Sequence, residues 1–351
     1  FLKTTNAGEN WIYHSTVTSY NLNSVHFLNT DVGFAAGGYS DTSWVIKTTD
    51  GGENWIPQPV NAVAPFMELR TIQFIDSNTG WTAGWKTFAG FPSPVLYKTT
   101  DGGSNWIHKT LPFLGSGWLI SLHFIDANEG WAVCAGLDSS AIINTIDGGE
   151  NWIIQKSGIT GGLYCVQFIN ENVGWVGGSG AIFKTTDGGT NWVSAGTPSI
   201  TTTSVCFVDE SNGWIVSNAN IGYAGMIQHS TDGGETWMAQ LTDVKPLWSI
   251  QFLDEYTGWA VGDSGTIYHT TNGGATFVEE NEVDELPTGF SLSNNFPNPF
   301  NPSTKIKYSV PQTSHVQIKV FDVLGNEIET LLNEEKPAGT YEITWYAEGL
   351  P

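Results

Sequence analysis

Basic residues are scarce in this chain, and Arg70 is its single arginine. Lysine and arginine together number 13, against 35 aspartates and glutamates in 351 residues, which gives a formal net charge of −22. Binding to nucleic acid or to an anionic membrane surface requires clusters of lysine and arginine. We therefore expect no nucleic acid and no anionic membrane among the partners.

Long apolar runs and paired cysteines are also missing. No run approaches the roughly 18 apolar residues that span a bilayer, so we predict no membrane span. Cys134, Cys165 and Cys206 are odd in number and form no Cys-x-x-Cys pair, which favours small buried residues over a disulfide or a metal site. His26 and His123 occupy equivalent positions of a repeat described below, and we predict that both are core residues. We predict no metal and no cofactor.

Glycine and aromatic residues, in contrast, are abundant. The chain has 41 glycines, 13% aromatic and 40% hydrophobic residues, which is typical of a well-packed β protein. The motif Thr-Thr-Asp-Gly-Gly-Glu-Asn-Trp at 48–55 has close copies along the sequence. Seven copies end at Trp11, Trp55, Trp106, Trp152, Trp192, Trp237 and Phe277. This interval of about 40 to 51 residues is typical of four-stranded propeller blades.

The motif predicts a hairpin turn. Glycine adopts positive φ angles without a Cβ clash, and an aspartate side chain can accept hydrogen bonds from the backbone of its own turn. We therefore assign the aspartates of the five inner copies to turn locking rather than to acid catalysis. These aspartates are Asp50, Asp101, Asp147, Asp187 and Asp232, and the two outer copies carry Asn6 and Asn272 instead. The motif resembles the Asp-box of sialidases, xyloglucanases, sortilin-type receptors and photosystem II assembly-factor-like propellers.

A second motif precedes each of the last six copies. Its first part alternates apolar residues and ends in Phe, and its second part begins with Gly-Trp or Gly-Phe. The six first parts are residues 24–27, 71–74, 121–124, 165–168, 204–207 and 249–252. They predict the first two strands of six complete blades. In the third blade the four strands are predicted at 121–125, 130–135, 142–145 and 151–155.

Residues 1–15 contain only the last two strands of a blade. We expect the missing inner strands to lie upstream of Phe1, which makes an all-β, seven-bladed propeller with an incomplete first blade. A native arrangement of six and a half blades is the alternative. Seven blades are favoured because a closed ring protects the sheet edges. The predicted domains are the propeller at 1–278, an acidic linker at 279–288 and a second domain at 289–351.

The second domain has four predicted strands, 305–310, 315–322, 327–331 and 340–346, with a turn at 324–326. Its segments Asn-Phe-Pro-Asn-Pro-Phe-Asn-Pro-Ser-Thr and Val-Gln-Ile-Lys-Val-Phe-Asp-Val-Leu-Gly resemble the C-terminal sorting domain of type IX secretion cargo. The resemblance implies a small Ig-like sandwich, the type IX machinery as a partner, and a secreted or outer-surface location. The copy stops short of the last strand of that family, so it is truncated. A generic Ig-like adhesive module is the alternative.

Sialidase chemistry is excluded by composition. Sialidases resemble one another in three arginines that clamp the substrate carboxylate, and lysine does not reproduce the guanidinium fork. Xyloglucanase-type hydrolysis needs only two carboxylates, and Glu68, Asp138 and Asp263 could reach one face. Those enzymes place the substrate between two propellers, however, and this chain has one.

The loops that lead into the first strand and those that join the second and third strands share one rim of a propeller. Several rim residues are not part of the repeat, and we predict that they bind a ligand, since exposed aromatics suit protein hot spots or stacking on sugars. The predicted set is Arg70, Trp85, Phe88, Phe91, Trp118, Tyr164 and Trp248. The alternative is that some of these aromatics cap blade edges.

The resemblance to photosystem II assembly-factor-like propellers implies a non-catalytic scaffold. The arginine-rich patch of the photosynthetic members has no counterpart here, so a photosynthetic role is not expected. We interpret the chain as an exported or cell-surface propeller that binds a protein or a glycan. A secreted, xyloglucanase-like glycoside hydrolase is the alternative.

Overall fold

The computed structural model describes residues 1–14, 21–39, 42–60, 67–112, 114–137, 139–196, 201–219, 224–275, 278–279, 289–293, 295, 303–321 and 325–346. Contacts between Cα atoms divide the chain into two units, residues 16–280 and residues 1–15 with 281–351. Strands dominate both units. A short 3-10 turn, Asp263–Gly265, is the helical element of the described residues.

Residues 1–14 contain one hairpin, in which strand β1 (Leu2–Lys3) pairs antiparallel with β2 (Ile12–Tyr13). The turn between them is the first copy of the repeated motif. Ala7 occupies the first glycine position of that turn and has a φ of 57°. The two outer strands expected for residues 1–15 are therefore present.

Six four-stranded antiparallel sheets form the unit of residues 16–280, and we number them blades 1 to 6. Blade 1 contains β3 (Leu22–Phe27), β4 (Gly33–Tyr39), β5 (Thr42–Thr48) and β6 (Ile56–Gln58). Blade 2 contains β7 (Met67–Phe74), β8 (Gly80–Phe88), β9 (Phe91–Thr99) and β10 (Ile107–Lys109). Blade 3 contains β11 (Gly117–Phe124), β12 (Gly130–Gly136), β13 (Ser140–Thr145) and β14 (Ile153–Ile159). The prediction of four-stranded antiparallel sheets is confirmed.

The last three blades repeat the pattern. Blade 4 contains β15 (Leu163–Phe168), β16 (Gly174–Gly178), β17 (Ala181–Thr185) and β18 (Val193–Ser194). Blade 5 contains β19 (Thr201–Phe207), β20 (Gly213–Asn218), β21 (Gly225–Ser230) and β22 (Met238–Val244). Blade 6 contains β23 (Leu247–Phe252), β24 (Gly258–Gly262), β25 (Ile267–Thr270) and β26 (Val278–Glu279). In every blade the strands pair in chain order.

Aromatic residues hold each blade against the next. In blade 4, Trp175 follows the glycine that opens the second strand, and its ring stacks on Phe207 of blade 5 with centroids 3.6 Å apart. The indole nitrogen of Trp175 also donates to the carbonyl oxygen of Gly233 in the turn of blade 5. The motif tryptophan of blade 5, Trp237, meets Phe207 edge-on. Stacked pairs at the same repeat positions join all consecutive blades.

Polar side chains of the first strands make a second set of contacts between blades. Gln73 accepts a hydrogen bond from the backbone N–H of Phe124 and donates to its carbonyl oxygen. His123 occupies the same position in the next blade, and its Nδ1 accepts from the backbone N–H of Phe168 at 3.1 Å. Burial lowers the pKa of His123 to about 4, so the ring is neutral and can accept. His26 and His123 are both half-buried, and His123 lies in the contact between two blades rather than in a fully buried core.

The three cysteines lie in strands and are buried, and none is in a disulfide. Cys206 takes the position of Gln73 and His123 in its blade, and its sulfur accepts from the backbone N–H of Phe252. Burial raises the pKa of Cys134 and Cys165 to about 12, which keeps both thiols protonated and unreactive. The interpretation of the cysteines as small buried residues is confirmed.

The first and last blades each have one open face. Phe27 of blade 1 is 42% exposed, whereas the equivalent Phe74 of blade 2 is 2% exposed. In blade 6, Trp259 has a buried indole nitrogen without a hydrogen-bond partner among the described residues, although Trp175 at the same repeat position has one. First strands of consecutive blades are in contact from β3 to β23, and in the described part of the chain no comparable contact links β23 to β3.

The repeated turn has one geometry in all the blades that carry an aspartate. In blade 3, the buried Thr145 hydroxyl donates to Asp147 Oδ1 and accepts from the backbone N–H of Gly149. Both oxygens of Asp147 accept hydrogen bonds from Asn151, one from its backbone and one from its side chain. Asp50, Asp101, Asp187 and Asp232 make equivalent bonds. The carboxylate oxygens therefore accept hydrogen bonds from residues of their own turns.

Because these turn aspartates are bound in their charged form, we expect the protein to lose stability in acid. Hydrogen bonds to the charged form lower the pKa of Asp50, Asp147 and Asp232 to about 2. Their stabilisation is complete above the unfolded-state pKa, near 4, and is lost as the pH falls through the folded-state pKa. We expect the melting temperature to fall between about pH 4 and pH 2, as measured by circular dichroism.

Replacement of these three aspartates by asparagine separates their contribution from other acid effects. Asparagine keeps the Oδ1 acceptor, as Asn272 does in blade 6, but does not titrate. The triple variant should show a smaller loss between pH 4 and pH 2. Glu235→Gln in the same type of turn is the control for loss of a charge. An unchanged acid transition in the triple variant would show that the turn carboxylates do not contribute.

The described part of residues 281–351 contains β27 (Ser291–Leu292), β28 (Ser303–Val310), β29 (Ser314–Phe321), β30 (Glu327–Lys336) and β31 (Gly339–Tyr346). They form a three-stranded sheet, β27-β28-β31, and a two-stranded sheet, β29-β30. Tyr308 and Val310 of one sheet and Ile318 of the other are buried together. Four strands were predicted here, and β27 is an additional short strand. The predicted turn at 324–326 lies partly outside the described residues.

Candidate functional site

Every first strand contains a β-bulge at the same place. The pairing of the first and second strands skips one residue in each blade, for example between Leu69 and Thr71. The skipped residues are Asn23, Arg70, Ile120, Tyr164, Thr203 and Trp248. A bulge leaves one side chain out of the regular alternation and re-aims it. Leu69 and Ile72 are therefore both buried although they are three positions apart.

Glycine opposite the bulge permits the close approach of the two strands. Gly84 pairs with Leu69, and a Cβ atom on Gly84 would lie 1.9 Å from the carbonyl oxygen of Glu68. Gly37, Gly178 and Gly262 occupy the same position in blades 1, 4 and 6, with comparably close carbonyl oxygens. Cys134 and Ser217 take this position in blades 3 and 5, which contain the same bulge. Glycine therefore accompanies the bulge in four blades, but the bulge does not depend on it.

All six bulge residues line one cavity of about 740 Å³. The first strands are the innermost strands of the blades and contact one another in sequence, so the cavity lies at the axis of the unit, at the N-terminal ends of these strands. The other lining residues are Leu22, Trp118, Ala135, Gly136 and Gly162. The volume is in the range of small-molecule binding sites.

The structure brings four of the seven predicted ligand residues together. Arg70, Trp118, Tyr164 and Trp248 all line the cavity. Trp118 lies two positions before the bulge of blade 3 and pairs with Ala135. This strand begins four residues before its predicted start at 121 because the pairing continues past the bulge.

The other three predicted residues, Trp85, Phe88 and Phe91, belong to the hairpin of β8 and β9 and do not line the cavity. Phe88 and Phe91 face each other across a two-residue turn and are 69% and 59% exposed. Trp85 is half-buried, and its buried indole nitrogen has no hydrogen-bond partner among the described residues. The hairpin is a separate exposed feature of blade 2.

Glu68 holds Arg70 in place at the cavity. The two side chains make a forked contact, with Arg70 Nε 3.2 Å from Glu68 Oε1 and Nη2 3.4 Å from Oε2. Asn23 of blade 1 donates to the same carboxylate and to the carbonyl oxygen of Leu69. The guanidinium is therefore orientated and its charge is largely balanced. Its Nη1 has no partner in the described part of the chain, so these N–H groups can bind a ligand acceptor.

Two of the three aromatic residues of the cavity have hydrogen-bond partners that restrict their orientation. Trp248 is 55% exposed, and its indole nitrogen donates to Asp263 Oδ1 at 2.6 Å. The hydroxyl of Tyr164 lies 3.5 Å from Ser179 Oγ. Ring faces that are held in this way lose little conformational freedom on binding. Of the three carboxylates considered for hydrolysis, Glu68 and Asp263 are thus engaged by cavity residues, and Asp138 lies outside the described residues.

Sequence reasoning missed Asn23, Ile120 and Thr203. A register comparison of the repeats would have found them. In the pattern Leu-x-Ser-Val-Gln-Phe, most positions hold similar residues in all blades, but position x is Asn, Arg, Ile, Tyr, Thr or Trp. The position that varies from blade to blade is the position that reaches the cavity.

Comparison with models of protein families found no match, and comparison with curated proteins found none either. Solved structures do match. A structure described as YCF48 bound to D1 peptide has a TM-score of 0.58 at 17% identity, and covers 83% of this chain and 91% of that one. YCF48 from Cyanidioschyzon merolae has a TM-score of 0.56 at 19% identity, with 83% and 94% covered.

A glycoside hydrolase is also similar. The GH74 enzyme of Niastella koreensis has a TM-score of 0.62 at 13% identity, and the match covers 88% of this chain and 54% of the enzyme. The fold is a β-propeller. At these identities the likeness shows the propeller fold alone. The same fold thus occurs in a protein described with a bound peptide and in an enzyme about twice the length of the matched part.

No group of three or more His, Cys, Asp or Glu side chains in the described part of the chain is arranged to hold a metal ion. No helix in the same part is long and apolar enough to cross a membrane.

Proposed function

We propose that this chain is an exported or cell-surface, non-catalytic propeller that binds a protein or a glycan in the axial cavity. The observation that carries the proposal is the convergence of six bulge residues, one from each blade, on a single cavity. Arg70, Tyr164 and Trp248 provide hydrogen-bond donors and ring faces there, which is the composition of a binding site with few, fixed polar groups.

The structural neighbours are compatible with binding and with catalysis. One is described as holding a D1 peptide, and another as a xyloglucanase from Xanthomonas campestris. Hydrolysis requires one carboxyl group as acid and a second as base or nucleophile. Glu68 already accepts from Asn23 and contacts Arg70, and Asp263 accepts from Trp248. Because both groups have structural partners, we favour binding without cleavage.

The open faces of blades 1 and 6 support a seventh blade of the same Asp-box repeat. Among the described residues, Phe27 lacks a stacked partner of the kind found in the five pairs between consecutive blades. In the same part of the chain, the indole nitrogen of Trp259 lacks the carbonyl oxygen that binds the equivalent tryptophan in four other blades.

We further propose that residues 289–351 belong to an Ig-like type IX sorting domain. Fusing residues 289–351 to a reporter protein, in a bacterium with this secretion system, tests whether they direct export. Retention of the reporter inside the cell would contradict the proposal.

Binding and hydrolysis are distinguished by one assay with two measurements. The protein is applied to an array of polysaccharides, glycans and peptides, and the same polysaccharides are assayed for release of reducing ends. We expect binding to at least one probe without release of reducing sugar, and loss of that binding in Trp248→Ala. Release of reducing sugar above the level of a heat-inactivated sample would establish the hydrolase alternative instead.

A further inference from the structure

At the six bulge positions the residue type changes from blade to blade, whereas the other positions of the first-strand pattern hold similar residues. The leucine before the bulge is buried in most blades, and the glutamine, histidine or cysteine three positions after the bulge binds the backbone of the next blade. These positions therefore accept only residues that preserve the packing or the bond to the next blade. The bulge position is free to vary because its side chain reaches the cavity.

We propose that the bulge residues determine which ligand the propeller binds, and that this set selects an uncharged sugar chain. The inference rests on the proposed binding function and names the ligand class of the same cavity. It is carried by the charges that line the cavity, by the number of ring faces, and by the remaining hydrogen-bond donors.

The charges disfavour both cationic and anionic ligands. Among the described lining residues Arg70 alone carries a charge, and no carboxylate lines the cavity. A cationic ligand would therefore find no free carboxylate to pair with, since the nearby Glu68 is bound to Arg70. An anionic ligand would approach a chain of net charge −22 and bind an arginine that Glu68 already balances. Long-range repulsion of this kind lowers the association rate of like-charged ligands.

The ring faces suit sugar rings. Trp118, Tyr164 and Trp248 come from three different blades and line the same cavity. The face of an aromatic ring is the negative side of its quadrupole, and it attracts the weakly positive C–H groups on the face of a pyranose. Because the indole nitrogen of Trp248 is bound to Asp263, the ring is presented in one orientation before the ligand arrives.

The hydrogen-bond donors at the cavity are few and fixed in position. Arg70 Nη1 is available for hydroxyl oxygens, since Glu68 binds Nε and Nη2. Asn23 and Thr203 donate to carbonyl oxygens of the neighbouring blade. Both side chains are therefore held in place at the cavity. A few donors between flat apolar faces match a ligand whose hydroxyl groups alternate with C–H surfaces.

Isothermal titration calorimetry with short chains tests the inference. The probes are the hexamers of glucose, xylose and mannose as neutral sugars, hexagalacturonate as the anion, a chitosan hexamer as the cation, and a mixed decapeptide library. We expect a neutral hexamer to bind most tightly, with little dependence on salt. Trp248→Ala should weaken that binding about 30-fold, as for other aromatic hot spots. Tyr256→Ala is the matched control, since Tyr256 is equally exposed and lies in a turn of the same blade.

Ile120→Asn tests the selectivity claim separately. This change should alter the order of affinities among the three neutral hexamers while the melting temperature remains that of the parent. An unchanged order would contradict the assignment of specificity to the bulge positions. Tighter binding of the galacturonate or chitosan hexamer, or no binding of any neutral hexamer, would overturn the sugar assignment.

The outcomes also separate this inference from the proposed function. If decapeptides bind, and Trp248→Ala weakens them while neutral sugars do not bind, the cavity is a binding site for a protein and only the sugar assignment is wrong. If no probe binds in a way that depends on Trp248, the axial cavity is not the binding site, and both proposals fail.

Discussion

Replacing Trp175 with alanine is expected to lower the free energy of unfolding by about 3–5 kcal/mol, the usual cost of truncating a buried tryptophan. Trp175 is fully buried, stacks on Phe207 of the next blade and donates its indole N–H to the carbonyl oxygen of Gly233. The alanine variant loses all three contributions and leaves a cavity between blades 4 and 5. Denaturant unfolding followed by circular dichroism measures the loss.

Trp175→Phe divides this effect into stacking and hydrogen bonding. Blade 1 has Phe34 at the equivalent position, where it stacks on Phe74 with centroids 3.5 Å apart. Phenylalanine can therefore keep the stacking but not the bond to Gly233, and we expect a smaller loss of about 1–3 kcal/mol. Equal losses in the two variants would show that the hydrogen bond, rather than the stacked pair, holds the blades together.

Gly84→Ala is expected to destabilise the protein by about 3 kcal/mol, the upper part of the range for overpacking, and to weaken ligand binding as well. The new Cβ atom would lie 1.9 Å from the carbonyl oxygen of Glu68, and a backbone atom cannot move aside as a flexible side chain can. The first and second strands of blade 2 must separate, which displaces the bulge at Arg70 and its partner Glu68. Melting temperature and affinity are measured on the same sample.

Gly90→Ala is the control for a glycine replaced in the same blade. A Cβ atom there meets nothing within 4 Å, although φ is +85°, so the cost is limited to backbone strain of about 1–2 kcal/mol. Its affinity should equal that of the parent because the hairpin tip does not line the cavity. Parental affinity in Gly84→Ala would contradict the coupling between the bulge and the binding site.

The periodic features of the fold were predictable because each has a local cause. The Asp-Gly-Gly turn requires positive φ, and Gly148 and Gly149 have φ angles of 72° and 87°. The Gly-Trp pair predicts the start of the second strand, and the structure adds that its aromatic ring stacks on the next blade. Motifs that repeat at a constant interval thus gave the blades and most of their strands.

The site was only partly predictable, for a physical reason. Four of the predicted residues line one cavity, but the predicted set also included Phe88 and Phe91, which are exposed at a hairpin tip. Sequence separation does not reveal which loops face the axis. Ile120 was missed because an aliphatic residue in a strand usually belongs to the core, and only the bulge directs it into the cavity. A bulge is a shift in the pairing between two strands, so it cannot be recognised from the sequence of one strand alone.

Amide hydrogen exchange, with and without the most tightly bound probe of the titration panel, tests whether the bulge residues of all six blades form one binding site. We expect slower exchange at the bulges of several blades together, including those at Arg70, Tyr164 and Trp248, and unchanged exchange in the Asp-Gly-Gly turns. Protection confined to the Phe88–Phe91 hairpin, or to a single blade, would contradict a shared site.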